Sequence, residues 1–514
     1  MKWNCEDNQL INDKKSLVLD DELNLNIKKI INDLGNSSDL VVKQLQLKEN
    51  LNEQIAVIYL EGLVSKNIVS DFIANLFILE SFKNYTNTFD FMIKKASSLG
   101  DIKVIEDYNE ILLSILSGAT VILIDGCLKG ISGSSQGGES RGVEEPSSQI
   151  VIRGPKDGFT ESLSVNIALI RKRIKSPNVW VEGFDIGRVT HTKVAVMYMK
   201  GIVNEEILQE VKNRLNQIDI DGILESGNIE EFIEDRSFSP FPTVFNTERP
   251  DSVAGNLLEG RISILVNGTP FALIVPYTFF QSFQATEDYY QRYDIASLIR
   301  CLRFICFLIA LLGPSVYIAA ISFHPEMIPT PLLLSLAAQR AGNPFPVIIE
   351  ALLMEFSFEI LREAGIRMPR AVGQAVSIVG ALILGEAAVQ AGIVSPAMVI
   401  VVALTGIASF VSPSYNLGIS IRMLRFGVML AAGYFGFYGI AITNLMIIAH
   451  LCSLESFGVP YMAPLAPFYL QDQKDNIFRF PIWAKRSRPK FLHQTNRKRM
   501  DIDEKKYPRE NSTN

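Results

Sequence analysis

The sequence predicts a soluble α/β module of two tandem, duplicated units, followed by an all-α polytopic membrane domain and a short basic tail. Three observations predict it. Long charge-free runs are confined to the C-terminal half of the 514 residues, a segment of the N-terminal half is repeated, and Lys and Arg gather after the last apolar run. The averages, 48% hydrophobic and 20% charged with a mean hydropathy of +0.20, fall in the ordinary globular range and conceal this segregation.

Residues 1–50 are polar, with helical periodicity in LNLNIKKIINDL, and read as a helical lead-in. The opening MKWNCEDNQLINDKK has no apolar core, so no cleaved signal peptide is expected. Residues 51–130 form the first α/β unit and 151–285 the second. IAVIYLEGLVSKNIVSDFIANL (55–76) aligns without gaps on VAVMYMKGIVNEEILQEVKNRL (194–215), and ILIDG (122–126) echoes ILVNG (264–268) in the same order. Each copy reads as a β-rich run, a Gly turn, an amphipathic helix, and a later strand ending in an Asp-Gly or Asn-Gly hairpin turn. Between the copies, residues 131–150 are rich in Gly and Ser and read as a linker.

Residues 286–455 form the membrane domain, with spans expected at about 304–323, 371–394, 397–417 and 426–449. The stretch 327–361, interrupted by Pro329, Pro331, Pro344 and Pro346, is either re-entrant or crosses. Arg300 and Arg303 place the soluble half on the cytoplasmic side. From Lys474 onward, twelve Lys and Arg face five Asp and Glu, a net +7 that leaves −13 for residues 1–473 within the overall −6. That basic tail, taken as 456–514, also reads as cytoplasmic and favours anionic lipid over nucleic acid. Arg362, Arg367, Arg370, Arg422 and Arg425 fit poorly with four alternating spans, and six crossings would restore the positive-inside pattern.

Cys5, Cys127, Cys301, Cys306 and Cys452 are an odd, scattered set, which argues against a disulfide framework and for a reducing compartment. His191, His324, His450 and His493 lie apart, no metal-ligand spacing occurs, and no nucleotide or nucleophile motif is present, so neither cofactor nor enzymatic activity is expected. In the soluble half, RGPKDGFTES carries Arg153, Gly154, Lys156, Gly158 and Glu161: an anion-cradling turn, or a capped turn whose charges serve an interface, the latter favoured because phosphate-loop spacing is missing. In the membrane half, Glu386 interrupts an otherwise uncharged span. An intramembrane carboxylate costs about 2.5–3.5 kcal/mol unless it faces a cavity or partner, so a functional and an interhelical structural role both stand. Glu350, Glu355 and Glu359 share one helix. Helical spacing puts Glu355, Glu359 and Arg362 on one face with Glu350 opposite Glu359, which suits ion pairs within the helix and a second protein contact, or a carboxylate ring along a cation path.

The ordered motifs RGPKDGFTESL, NIALIRKRIKSP, ERPD, LLEGRISILVNGTPF, EDYYQR, FHPEMIP, NPFP, FEILREAGIRMP, SIVGALILGEAAV and FGVPYMAPLAPF cover roughly 150–470 and resemble the A subunits of the GerA family of spore germinant receptors. A related SpoVAF-like spore membrane protein shares them. The resemblance implies a receptor subunit in the spore inner membrane that works with a transporter-like B subunit and a C-subunit lipoprotein. It further implies a homo-oligomer, a pentamer, forming a nutrient-gated cation channel; a non-conducting scaffold for the B-type partner is the alternative.

Overall fold

The computed structural model describes residues 19–46, 54–77, 88–96, 99–137, 145–146, 149, 151–367 and 383–500. The repeat extends through every element of the soluble half. The first unit runs α1 (Leu23–Asp33), β1 (Leu40–Gln46), β2 (Gln54–Leu60), α2 (Lys66–Phe77), α3 (Thr88–Ala96), β3 (Ile102–Ile105), α4 (Tyr108–Leu116), β4 (Ala119–Ile124) and β5 (Gly130–Ser134). The second repeats that order: α5 (Leu163–Arg173), β6 (Val179–Ile186), β7 (Thr192–Met199), α6 (Glu205–Gln217), α7 (Ser226–Ile233), β8 (Phe245–Thr247), α8 (Pro250–Leu258), β9 (Ile262–Val266) and β10 (Ala272–Val275). The antiparallel sheets, β1-β2-β4-β5-β3 and β6-β7-β9-β10-β8, have the same strand permutation. Even the register is kept: Val57 faces Ile122 as Val196 faces Ile264. Two chance βα units would not share a register, because a one-residue slip turns every side chain to the other face.

Period-two alternation sorts each strand between two cores. Ile55, Val57 and Tyr59 pack with Phe72 and Phe91 of α2 and α3, whereas Ala56, Ile58 and Leu60 meet Ile30 and Ile111 of α1 and α4. Val196 and Ala195 divide in the same way in the second unit. Burial on both faces explains why these strands read as unbroken apolar runs.

Two expected boundaries move. The lead-in belongs to the first unit: α1 packs beneath the sheet and β1 pairs with β2 along its length. The Gly/Ser-rich stretch begins as strand, since GISGS is β5. The two units are locked together by Arg171, fully buried, whose guanidinium reaches Asp39 at 2.5 and 2.9 Å and Ser37 at 2.9 Å. Beside this pair, Gly62 (φ +84°) turns against the carbonyl of Ser164, which an added Cβ would approach to 2.5 Å. Gly62→Ala is therefore expected to destabilise the soluble half by about 2 kcal/mol or more. Gly126→Ala, also at positive φ but with nothing within 4 Å, should cost about 1 kcal/mol, as measured by chemical denaturation of both variants.

The helical half comprises α9 (Tyr293–Ser322), α10 (Thr330–Arg340), α11 (Val347–Arg367), a π turn at Ile383–Ala387, and helices at Pro396–Phe410 and Tyr415–Ser453. Two of these, Tyr293–Ser322 and Tyr415–Ser453, are long and apolar enough to cross a membrane. Tyr415–Ser453 is in fact two helices that reverse at Gly436 (φ 58°, ψ −139°). Ser420 and His450 both bond the 239–240 loop of the second unit, although a straight helix would hold them about 45 Å apart. The expected span 426–449 thus straddles a hairpin tip bearing exposed Tyr434, Phe435 and Tyr438. The expected span 397–417 is likewise interrupted: its helix stops at Phe410, and Ser414 caps the next. Residues 371–382 of the expected span 371–394 lie outside the described residues.

Contacts orient each pass. α9 starts at the soluble half and ends with Phe323 and His324 against Gly436 at the hairpin tip. α11 begins near that tip, with Ile348 against Gly433, and runs back until Arg362 reaches Ser409. The Pro396–Phe410 helix returns in the same direction, to Ser414 near Tyr277. The segment after Ser453 is no loose tail: 455–500 form a strap that places Phe457, Val459, Phe491 and Leu492 in the core of the second unit.

Candidate functional site

The EDYYQR run, just before α9, is one place where the two halves of the molecule meet. Its three central side chains point to three different elements. Asp288, buried in a 3₁₀ turn (Thr286–Tyr289), accepts from Arg300 Nε at 2.8 Å and from Arg303 Nη1 at 2.8 and 2.9 Å. Tyr289 donates to Asp475 of the strap at 3.0 Å. Tyr290 donates to Asp251 of the second unit at 2.8 Å. Arg300 also reaches Asp475 at 2.8 Å, and Lys485 closes on the same carboxylate. Burial opposes ionisation of Asp475, yet the Lys485 ammonium and Arg300 guanidinium hold its carboxyl below the usual range. Burial and that carboxylate push the Tyr289 phenol up. A displacement of α9 must therefore pull on unit and strap together, since paired buried charges resist separation.

The RGPKDGFTES loop joins this junction. Gly154 lies against the Tyr290 ring, and the Pro155 carbonyl accepts from buried Arg249, itself paired with Asp251 at 2.6 and 3.0 Å. Asp157 takes Arg173 at 2.5 and 2.7 Å, Lys156 lies 3.5 Å from Glu145, and the Glu161 carbonyl accepts from Gly268. Gly158 is buried, and Arg153 and Glu161 are exposed. The loop enters α5 as an interface turn, tied by ERPD to EDYYQR.

In the helical half, α11 supplies an ion-paired ladder. Glu355 and Arg425, 0% and 1% exposed, meet at 2.5 Å. Glu359 is shared between Arg362 at 3.0 Å and Arg422 at 3.1 Å. Glu350, fully buried, accepts from Ser395 N and Oγ at 3.2 and 3.1 Å and lies 3.7 Å from Arg340. The intra-helix pair and the second protein contact are both as the spacing suggested. Arg422 and Arg425, one turn apart, are the partners that sequence alone did not join to Glu355 and Glu359. Glu386 is exposed in the π turn, accepting from Gln390 at 3.1 Å.

Sequence reading also passed over Glu230 on α7, where the second unit touches the base of the helical hairpin. Asn416 Nδ2 lies 3.5 Å from its carboxylate. Burial, then the like charges of Glu234, Glu225 and Glu231, push its pKa up to about 7 from the ordinary 4.5. The folded chain thus holds a proton between those values that the unfolded chain releases. Its contribution is greatest below about pH 4.5, fades as pH rises towards 7, and is flat above. Glu230→Gln should flatten the pH dependence of thermal unfolding between pH 5 and 7 and raise stability at pH 8 by up to about 3 kcal/mol. An unchanged profile would refute this.

Comparison with known proteins matches residues 28–491 to the family model "Bacillus/Clostridium GerA spore germination protein". Spore germination protein KA of Bacillus subtilis (strain 168) is 49% identical over 495 residues, covering 96% of this chain and 91% of that one. The uncharacterized membrane protein YfkQ of the same organism is 44% identical over 452 residues, 88% of each. Spore germination protein GerLA of Bacillus cereus is 38% identical over 478 residues, 93% and 97%. Among solved structures, the N-terminal domain of the A subunit of the Bacillus megaterium spore germinant receptor GerK3 is 38% identical, covers 52% of this chain and 99% of that one, and gives a TM-score of 0.42.

Proposed function

This chain belongs to the Bacillus/Clostridium GerA spore germination protein family and is a germinant receptor A subunit, and from that premise we propose that several copies assemble in the spore inner membrane into a nutrient-gated cation path. The observation that carries the assembly is a surface one chain leaves open: α10 buries none of its side chains, and Glu386 is exposed in the π turn. A carboxylate in an apolar segment is stable where it faces water or a neighbouring subunit. Glu350, Glu355 and Glu359 are neutralised within the chain and take a positioning role, which leaves Glu386 as the carboxylate for a pore.

The reading includes six crossings, with both ends of the helical half on the cytoplasmic side. Its support is the orientation of α9, α11, the Pro396–Phe410 helix and the two arms of the 415–453 hairpin, which makes five passes. A sixth is required to join the end of α11, on the near side, to Ser395 on the far side. Arg362, Arg367, Arg422 and Arg425 then fall towards the cytoplasmic side, as the positive-inside pattern requires. A transporter-like B subunit and a lipoprotein complete the receptor in this reading, and the soluble units transmit their state through the EDYYQR junction.

The decisive experiment reconstitutes this chain, the transporter-like partner, and both together in liposomes and follows monovalent-cation flux. Flux should require this chain, and Glu386→Gln should change it several-fold. Conduction by the partner alone would make this chain a scaffold. Unchanged flux, germination kinetics and complex levels in Glu386→Gln would remove Glu386 from the path.

A further inference from the structure

The geometry points to an anionic-phospholipid site in the C-terminal strap: a basic cavity takes the headgroup phosphate while the apolar residues beside it enter the bilayer interface. The cavity, about 460 Å³, lies between the second unit and the strap, with seven cationic residues and three carboxylates in its walls. All three carboxylates are engaged. Asp475 holds Arg300 and Lys485, Glu259 lies 3.5 Å from Arg499, and Asp472 accepts from the Lys490 amide at 2.7 Å. Among the cations, Arg261 is 3% exposed, and its Nε has no hydrogen-bond partner among the described residues. Lys474, Arg486 and Arg497 are exposed around the cavity, with no ion pair to a carboxylate among the described residues. The cavity therefore carries uncompensated positive charge, with Arg261 in its wall, which suits a phosphate.

The neighbouring side chains identify the source of that phosphate. Phe478, Phe480, Ile482 and Trp483 are 57%, 46%, 58% and 58% exposed. Arg479, between the two Phe residues, bonds Ser297 through both its amide and its carbonyl, at 3.0 and 2.9 Å. Ser297 lies two turns, about 10 Å, before the charge-free run of α9 begins at Phe304. If α9 crosses the bilayer, this apolar cluster sits at headgroup depth, where Trp is favoured and each nearby Lys or Arg gains about 1 kcal/mol from anionic lipid. A soluble phosphate would need the cations but no such apolar cluster beside them. The inference rests on the placement of α9 and is independent of whether the assembly conducts.

The test places the full chain in nanodiscs of phosphatidylcholine alone or mixed with phosphatidylglycerol and follows hydrogen exchange across 471–499. Phosphatidylglycerol should slow exchange there roughly threefold or more. The triple variant Lys474→Gln, Arg486→Gln, Arg497→Gln should lose that response while matching the parent in phosphatidylcholine discs, because its three sites are exposed. Equal exchange in the two lipids, or a response retained by the triple variant, overturns the site. Equal protection by millimolar inorganic phosphate in phosphatidylcholine discs would reassign it to free anions.

Discussion

Glu355→Ala should destabilise the helical half by about 3–5 kcal/mol, visible as a large fall in the unfolding temperature of the full chain in nanodiscs. The substitution strands Arg425, 1% exposed, without the carboxylate it pairs with, in a place where water cannot replace the partner. The pair itself is poorly completed: Glu355 Oε1 and Arg425 Nε and Nη2 have no hydrogen-bond partner among the described residues. Replacing both residues together should therefore be far milder. Glu355→Met with Arg425→Met is expected within about 1 kcal/mol of the parent, or more stable, since apolar packing often equals a buried ion pair. If the double variant is as unstable as the single one, the pair contributes net stability and not merely the alignment of α11 against the hairpin. The germination response then reports the pair's second role: a stable double variant that fails to respond would show that the charges set helix register.

Asp288→Asn should cost about 2–4 kcal/mol and, more tellingly, break one cooperative unfolding transition into two. Asp288 bridges Arg300 and Arg303, and it also accepts from the Ala285 amide at 3.2 Å. An Asn side chain keeps its size but removes the charge facing two guanidiniums, that of Arg300 buried and that of Arg303 partly buried. Arg300 retains Asp475, so the strap stays attached while the 3₁₀ turn loosens. Differential scanning calorimetry, with limited proteolysis between Pro276 and Tyr293, checks this. Tyr290→Phe serves as the control: it removes one bond to Asp251 and should cost about 1 kcal/mol without separating the halves. A single sharp transition in Asp288→Asn would mean that the halves are coupled elsewhere, with the Glu230 contact the next candidate.

The order of the parts, the duplication and the segregation of charge were legible in the sequence. Those properties are local: strand periodicity, Asp-Gly and Asn-Gly turns, and uncharged runs are written in consecutive residues. It also placed Glu359 and Arg362 together, because helical spacing is a local rule. Whatever depends on distant residues emerged with the packed fold. Arg425 meets Glu355 across seventy positions, Arg300 meets Asp475 across 175, and Arg171 meets Asp39 across 132. The reversal at Gly436 was hidden for a related reason. An uncharged run looks the same to hydropathy whether it continues or folds back, and only the positive φ of a glycine pressed against Phe323 and His324 makes it turn. The strap was read as a basic tail because composition registers its cations and not their partners. Once folded, some of those cations are paired at the junction between the two halves, and others are left facing a positively charged cavity.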